Sequence, residues 1–365
     1  MLRRLYVHNF RCLENFELSI GQQPSALLIG KNGAGKTTVG LALEIFQKIA
    51  RGTNRVRDLV SPKDLTRGRT EVPLRFEIEV EVEKSIYVYS LALEFPNSFK
   101  ELRVLEEKLT CAGKVVYSRH LANVQLTRTS ANFVIDWHLV ALPIIQDQAS
   151  DGPLFLFKQW LSRMLILQPL PGLMKGDSSG ETLEPAKDGS DFGSWFSGVL
   201  AHAPAAYGKI DQYLREVMPD FKDIKNPTVG TETRSMVVQF STEIGSLILP
   251  LEELSDGEKC FMLCALVLAA NSAYGPLFCF WDEPDNHLAL SEVGQFLTAL
   301  RREFQSTGQL ITTSHNPEAI RRFSDENTFL IARRSHLEPP TIRALSDIPR
   351  TGDLITSLLL GDLES

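Results

Sequence analysis

Four short stretches of this 365-residue chain combine residue types and spacings that can do chemistry. In Gly30-Lys31-Asn32-Gly33-Ala34-Gly35-Lys36-Thr37, glycines are spaced ahead of a lysine and a threonine. A loop of this pattern lets successive backbone N–H groups, those of Asn32, Gly33, Ala34 and Gly35, point inward at a polyphosphate, and the helix after it adds its positive end. Lys36 then reaches the β- and γ-phosphates, the Thr37 hydroxyl sits on Mg²⁺, and Thr38 is placed for the α-phosphate. The plainer reading is a glycine-rich turn, and the surrounding elements must decide between the two.

Leu277-Phe278-Cys279-Phe280-Trp281-Asp282-Glu283 is an apolar run that ends in two acids. Asp282 can hold Mg²⁺ through water, and Glu283 can polarise a water for attack on a γ-phosphate. Acids at that point could instead cap the next helix. In Leu254–Lys259, Ser255 and Glu258 make a capping box ahead of an apolar helix. Capping does not explain Gly257, because glycine costs roughly 1 kcal/mol relative to alanine inside a helix. A ligand approaching the bare backbone would explain it. Finally, Ile311–Pro317 carries His315 at the end of an apolar strand. A lone histidine is usually structural, but just past the acidic strand it becomes a candidate γ-phosphate contact.

These residues need elements to position them. Residues 1–50 read as strand, strand, strand, helix, with Ala26–Ile29 a continuous apolar run suited to a strand buried on both faces. The phosphate loop falls between that strand and a helix striped by Val39, Leu43, Phe46 and Ala50. Period-two alternation over Glu71–Phe95 predicts an antiparallel hairpin turning at Lys84-Ser85, with Glu77–Glu83 on its solvated face. Two further strands are expected at 102–110 and 114–119. The region 153–218 reads as helical, clearest over 154–167, and is broken by a Gly/Ser/Asp-rich stretch at 175–194 expected to be a mobile loop. Strands follow at 236–240 and 247–249, then an α/β run: a helix from Asp256, a strand at 277–281, a helix near 291–304, and strands at 309–313 and 328–332. The expected domains are an N-terminal lobe (1–100), an insert (101–244) and a C-terminal lobe (245–365).

Composition narrows the class. Hydrophobic residues at 43% and charged residues at 23% are ordinary globular usage, and a net charge of −7 excludes a generically basic nucleic-acid coater. No apolar run approaches the roughly 20 residues a membrane helix needs, and the N-terminus does not read as a signal peptide. Five scattered cysteines fit a reducing cytoplasm. Cys260 and Cys264 read as core residues rather than metal ligands. The stretch 51–69 carries Arg51, Arg55, Arg57, Lys63, Arg67 and Arg69 against Asp58 and Asp64. It could grip DNA phosphates or simply be a solvated loop.

Taken in order, the four motifs resemble the ABC-type ATPase head, in the RecF, SMC and OLD-like branch rather than among transporter subunits. The fold implied is α/β, with a mixed phosphate-loop sheet, an antiparallel β-subdomain, a helical insert and no long coiled coil. In this resemblance Leu254–Lys259 matches the signature motif, Asp282–Leu288 the Walker B and D-loop, and His315 the switch histidine. The opening Leu5–Arg11 is similar to the branch's first strand, which implies that Arg11 lies near bound nucleotide. Two chains are then implied to trap two ATP molecules, each between one chain's phosphate loop and the other's Ser255–Gly257 helix start.

The closest likeness, over about residues 1–95 and 245–335, is to compact ATPases found beside toxin or nuclease partners in bacterial anti-phage systems. This implies a separate effector protein, because too little chain follows residue 332 for an appended catalytic domain. A RecF-like DNA-repair ATPase is the alternative, and a clamp that binds ATP without hydrolysing it is disfavoured by Glu283. The long separation of Thr37 from Leu254 excludes a transporter subunit. A glutamine marking the Q-loop should follow the phosphate-loop helix, and residues 51–95 contain none.

Overall fold

In the computed structural model of the chain, which describes residues 1–97, 99–146, 151–230 and 232–348, the alternating N-terminal stretches form one antiparallel sheet of eight strands. Its order is Phe16–Ser19, Leu2–His8, Leu74–Val82, Ser85–Glu94, Arg103–Cys111, Lys114–His120, Asn123–Leu126 and Ala131–Val134. The expected hairpin is present, with Val82 opposite Ser85. Alternation works as the pleat requires: Leu74, Phe76, Ile78 and Val80 are fully buried while Arg75 between them is exposed. On the outer face the acidic stripe is neutralised, Arg4 pairing with Glu77 and Glu17 and Arg3 with Glu81.

The chain divides into two units, Met1–Met164 with Asp325–Ser365, and Leu165–Ser324. In the first, the inner face of the large sheet packs on helices Lys36–Ala50 and Pro153–Ser162. Phe46 meets Phe76 and Tyr89 edge-on at 6.2 and 6.0 Å, and Phe157 stacks on Tyr87 at 5.7 Å. Ser25–Ile29, buried at every residue, runs parallel to Thr328–Ala332, which pairs antiparallel with Thr341–Ala344.

The second unit holds three parallel strands, Leu165–Leu167, Phe278–Trp281 and Gln309–Thr313. Beside them lies helix Asp256–Tyr274, apolar on nearly all sides and buried from Lys259 to Asn271. Phe192–His202, Ala206–Val217, Leu290–Ser306 and the short Pro317–Arg321 are its other α-helices among the described residues, and Phe221–Lys225, Val237–Thr242 and Gly245–Pro250 form a small antiparallel sheet. Cys260, Cys264 and Cys279 are buried, and burial pushes the Cys260 thiol up to about 12, as expected of core residues. Among the described residues no helix is long and apolar enough to cross a membrane, and no cluster of His, Cys, Asp and Glu could hold a metal ion.

Two expectations need correction. The helix expected over 154–167 ends at Ser162, and Leu165–Leu167 is a strand paired with Phe278–Trp281. A short apolar run fits a buried strand as well as a helix turn, and only its pairing partner decides. The strand expected at 277–281 begins one residue later. Within 175–194, Asp177–Ser178 pairs with the Thr233–Ser235 strand, and Asp191 accepts from the Ala186 N–H through both carboxylate oxygens.

One polar cluster sits wholly inside the first unit. Glu107 and Arg119, both fully buried, lie 3.5 Å apart. Glu107 accepts from Tyr89 and Tyr117 hydroxyls and from the backbone N–H groups of Ala141 and Leu142, at 2.7 to 3.0 Å. Arg119 donates to the carbonyls of Leu121, Asp136 and Leu139. The pair therefore fastens segment 136–142 to the sheet. Burial, followed by the Glu107 charge, raises both tyrosines well above their usual range. Glu107→Leu leaves Arg119 buried without its counter-charge and should cost about 3–5 kcal/mol of unfolding free energy in urea denaturation.

Candidate active site

The first unit builds the phosphate-loop half. Strand Ser25–Ile29 ends at Gly30, and helix Lys36–Ala50 starts directly after Gly35. Gly30 adopts φ 148°, and a Cβ there would lie 2.0 Å from the Ile331 carbonyl oxygen, so only glycine fits. Gly35 adopts φ 113° as the residue preceding the helix. Lys36 is buried and its Nζ donates to the carbonyls of Gly30 and Lys31 at 2.8 and 3.3 Å, which curls the loop around the ammonium. Asn32, Gly33 and Thr37 are exposed, Ala34 is buried, and Thr38 is half-buried with Cys12 Sγ 3.6 Å from its hydroxyl. The Ala34 N–H also donates to the Lys31 carbonyl at 3.1 Å, so the loop is a tight turn wrapped around the Lys36 ammonium, with Asn32 and Gly33 exposed at its tip. Arg11, at φ 52°, donates from Nε to Asp64 at 3.0 Å.

The second unit gathers the acidic half at the ends of its parallel strands. Asp282 is 7% exposed. Its Oδ1 accepts from the Thr313 hydroxyl at 2.7 Å and its Oδ2 from Gln168 Nε2 at 3.1 Å. The Glu283 N–H donates to the same Thr313 oxygen at 2.9 Å. Glu283 sits at φ 47°, a left-handed conformation that costs a non-glycine residue free energy. That twist turns its carboxylate out of the strand, where Oε1 lies 3.1 Å from His315 Nε2 and Oε2 accepts from Asn286 at 2.6 Å. Asp282 and Glu283, neighbours in the chain, are therefore brought together with His315, about thirty positions further on.

Gln168, Thr313 and Asn286 escaped the sequence reading as parts of this network. Gln168 follows directly on Leu165–Leu167 and is a candidate for the glutamine sought in vain after the first helix. Reading 154–167 as one helix hid it. A buried apolar triplet followed by a polar amide was its only signal.

At the signature stretch Ser255 is exposed and caps helix Asp256–Tyr274. Its backbone and hydroxyl donate to Glu258 at 2.8 and 2.7 Å, and the Glu258 N–H donates back to the hydroxyl at 3.3 Å. The expectation for Gly257 needs amendment, because a Cβ there would lie 3.1 Å from the His287 carbonyl oxygen. The turn after Glu283 thus already approaches the bare backbone, and His287 Nδ1 lies 3.5 Å from Asp256. In stretch 51–69, Arg55 and Arg57 pair with Glu101, Arg67 and Arg69 with Glu14, and Arg51 donates to the Ser162 and Met164 carbonyls. Four of the arginines thus share two carboxylates, so the stretch keeps part of its positive charge.

Residues 1–336 match the RecF/RecN/SMC N terminal domain family, and the chain belongs to it. It is an ABC-type ATPase head of the RecF, SMC and OLD-like branch. Its fold is similar to that of an SMC head crystallised with the C-winged helix domain of ScpA, with a TM-score of 0.56 at 14% identity over 94% of this chain and 96% of that one. The OLD nuclease of Thermus scotoductus is 51% identical over 45 residues, which is 12% of this chain and 8% of that protein. ATP-binding cassette sub-family F member 2 of Mus musculus is 25% identical over 139 residues, 35% of this chain and 20% of that protein. The matches thus span only a small part of either curated relative.

One further acid behind Glu283 makes a pH prediction. Asp285 is 6% exposed, accepts from Ser314 at 2.7 Å, and has its other oxygen buried without a partner. Burial raises its carboxyl above the ordinary aspartate range. The native state then holds this proton more tightly than the unfolded chain, so its stabilising contribution is present at low pH and lost as pH rises through the folded value. Asp285→Asn should melt several degrees above the wild type at pH 8, with the gap closing towards pH 5 in thermal scans.

Proposed function

We propose that this chain binds ATP with Mg²⁺, pairs with a second copy around two shared ATP molecules, hydrolyses them, and thereby controls a separate nuclease or toxin effector in bacterial anti-phage defence. The observation that carries the catalytic part is the Thr313-centred network. It leaves Asp282 and Glu283 in different surroundings, and two carboxylates so distinguished suit different tasks.

In this reading the loop N–H groups of Asn32 to Gly35, with Lys36 and Thr38, bind the phosphate chain, and Arg11 borders it. Mg²⁺ would be held by the Thr37 hydroxyl and Asp282, hard oxygen donors that suit the ion, and when bound it supplies charge neutralisation on the phosphates. Gln168 orients Asp282. Glu283 takes the proton from the attacking water, with His315 and Asn286 holding its carboxylate. Ser255 and the N–H groups by Gly257 offer the positive helix end to the partner copy's γ-phosphate. The membership in this family supports nucleotide use, and the short stretch shared with an OLD nuclease fits a link to nuclease chemistry.

Phosphate release from ATP provides the test. Lys36→Ala should abolish ATP binding. Glu283→Gln should keep binding but slow release by about 10²–10⁴-fold, the span of a lost general base. On light scattering it should accumulate an ATP-dependent dimer that Ser255→Arg prevents. Persistent monomer with ATP and Mg²⁺, or full turnover by Ser255→Arg, would refute the shared site. Affinity capture with Glu283→Gln should retrieve a nuclease or toxin. A recombination factor in its place would move the role to repair.

A further inference from the structure

The loop joining strands Thr328–Ala332 and Thr341–Ala344 lies against the phosphate loop. Arg333 donates from Nη1 to the Gly33 carbonyl at 3.5 Å, and from Nε and Nη2 to the carbonyls of Glu338 and His336 at 3.0 and 2.7 Å. Pro340 Cγ lies 3.9 Å from where a Cβ on Gly35 would stand. From the other side Arg67 donates to the Leu337 carbonyl. The loop is therefore braced at both flanks, yet its tip presents Leu337 with 75% of its surface exposed. A large apolar side chain held out on a braced loop is a feature of contact surfaces.

A second unexplained feature flanks Ser255. The hairpin of Val237–Thr242 and Gly245–Pro250 runs through a short helical turn into the signature helix. It overhangs an open cavity of about 430 Å³ lined by Phe240, Ile244, Leu247 and Leu249, with Asp220 and Glu258 at its polar side. Ile244 is 99% exposed and Leu247 is 55% exposed. Glu258 is the residue that caps with Ser255, so cavity and signature start share a wall.

We propose that in the ATP-bound dimer the Arg333–Pro340 loop of one copy docks into the partner's hairpin cavity, with Leu337 as its apolar anchor. The inference rests on the shared-ATP reading. If one copy's phosphate loop meets its partner's Ser255, then what borders each must also meet, and these two features are the borders. Charge agrees with this pairing. The loop and the strand after it carry Arg333, Arg334 and Arg343 against Glu338, whereas Asp220 and Glu258 line the cavity and exposed Glu243 stands in the chain between its lining residues Thr242 and Ile244. Basic and apolar thus face acidic and apolar, which favours this register over like meeting like. Two-fold symmetry makes the contact twice per dimer, so ATP-dependent association gains two anchors that no nucleotide contact supplies.

Site-specific cross-linking in the Glu283→Gln background tests this. One batch carries Leu337→Cys and a differently tagged batch carries Leu247→Cys, mixed with ATP, Mg²⁺ and a short bismaleimide. A cross-linked heterodimer that needs ATP, and is missing when either cysteine is omitted, is the expected result. In addition, Leu337→Asp should weaken the ATP-dependent dimer at least tenfold by sedimentation while the monomer's ATP affinity stays unchanged. If the dimer forms with ATP but yields no such cross-link, and Leu337→Asp dimerises like its parent, the docking is wrong while the shared-ATP reading stands. If no ATP-dependent dimer forms, both fail.

Discussion

One hydroxyl organises the acidic cluster at the strand ends of the second unit. Thr313 donates to Asp282 and accepts from the Glu283 N–H, so a single oxygen ties the end of one parallel strand to the backbone and side chain at the end of its neighbour. A hydroxyl can do both because it donates once and accepts twice. The bridge depends on register: Trp281 stands opposite Thr312, which brings the next residues of the two strands alongside each other. A slip of one residue would turn Thr313 to the opposite face. With Gln168 on the other flank, Asp282 is fixed from both sides, and the left-handed turn at Glu283 swings its carboxylate to His315 and Asn286.

The phosphate loop is governed by space rather than by bridging. Gly30 passes so close to the Ile331 carbonyl that no side chain fits. The loop is thereby pinned at its start by a neighbouring strand and at its end by the first turn of a helix. Between these points the Ala34 N–H closes a turn on the Lys31 carbonyl at 3.1 Å. Lys36 folding back onto two loop carbonyls keeps a cation at the centre of the cradle. The same economy recurs at Gly257, where the missing Cβ admits the His287 carbonyl and so couples the signature helix to the turn that follows Glu283.

Charge is distributed to the same end. The basic stretch 51–69 looks exposed on paper, yet Glu14 and Glu101 take up its arginines, and Arg3 and Arg4 neutralise the acidic stripe of the large sheet. Pairs of this kind contribute little stability individually, but they lower the net charge that each surface presents. What remains is the cradle around Lys36, the acids beyond Trp281, and the two flanking features with opposite charge.

Much of this was legible without coordinates. Loop glycines, a lysine and a threonine at set spacing announce phosphate chemistry because the mechanism needs those atoms within a few residues of one another. Period-two alternation over 74–94 announces a sheet with one wet face for an equally local reason. Strands 123–126, 131–134 and 221–225 were not anticipated, being short and irregularly patterned. The assignment of Leu165–Leu167 could not be local at all: three apolar residues become a strand only through pairing with Phe278–Trp281, over a hundred positions away. That pairing delivered Gln168 to Asp282, and parallel register delivered Thr313 and His315 to Glu283. The chain alone therefore determined which chemistries were on hand, since these reside in side chains and near neighbours. Which groups share a proton or a hydrogen bond was decided by tertiary structure, because hydrogen bonding acts over about 3 Å of space regardless of separation along the chain.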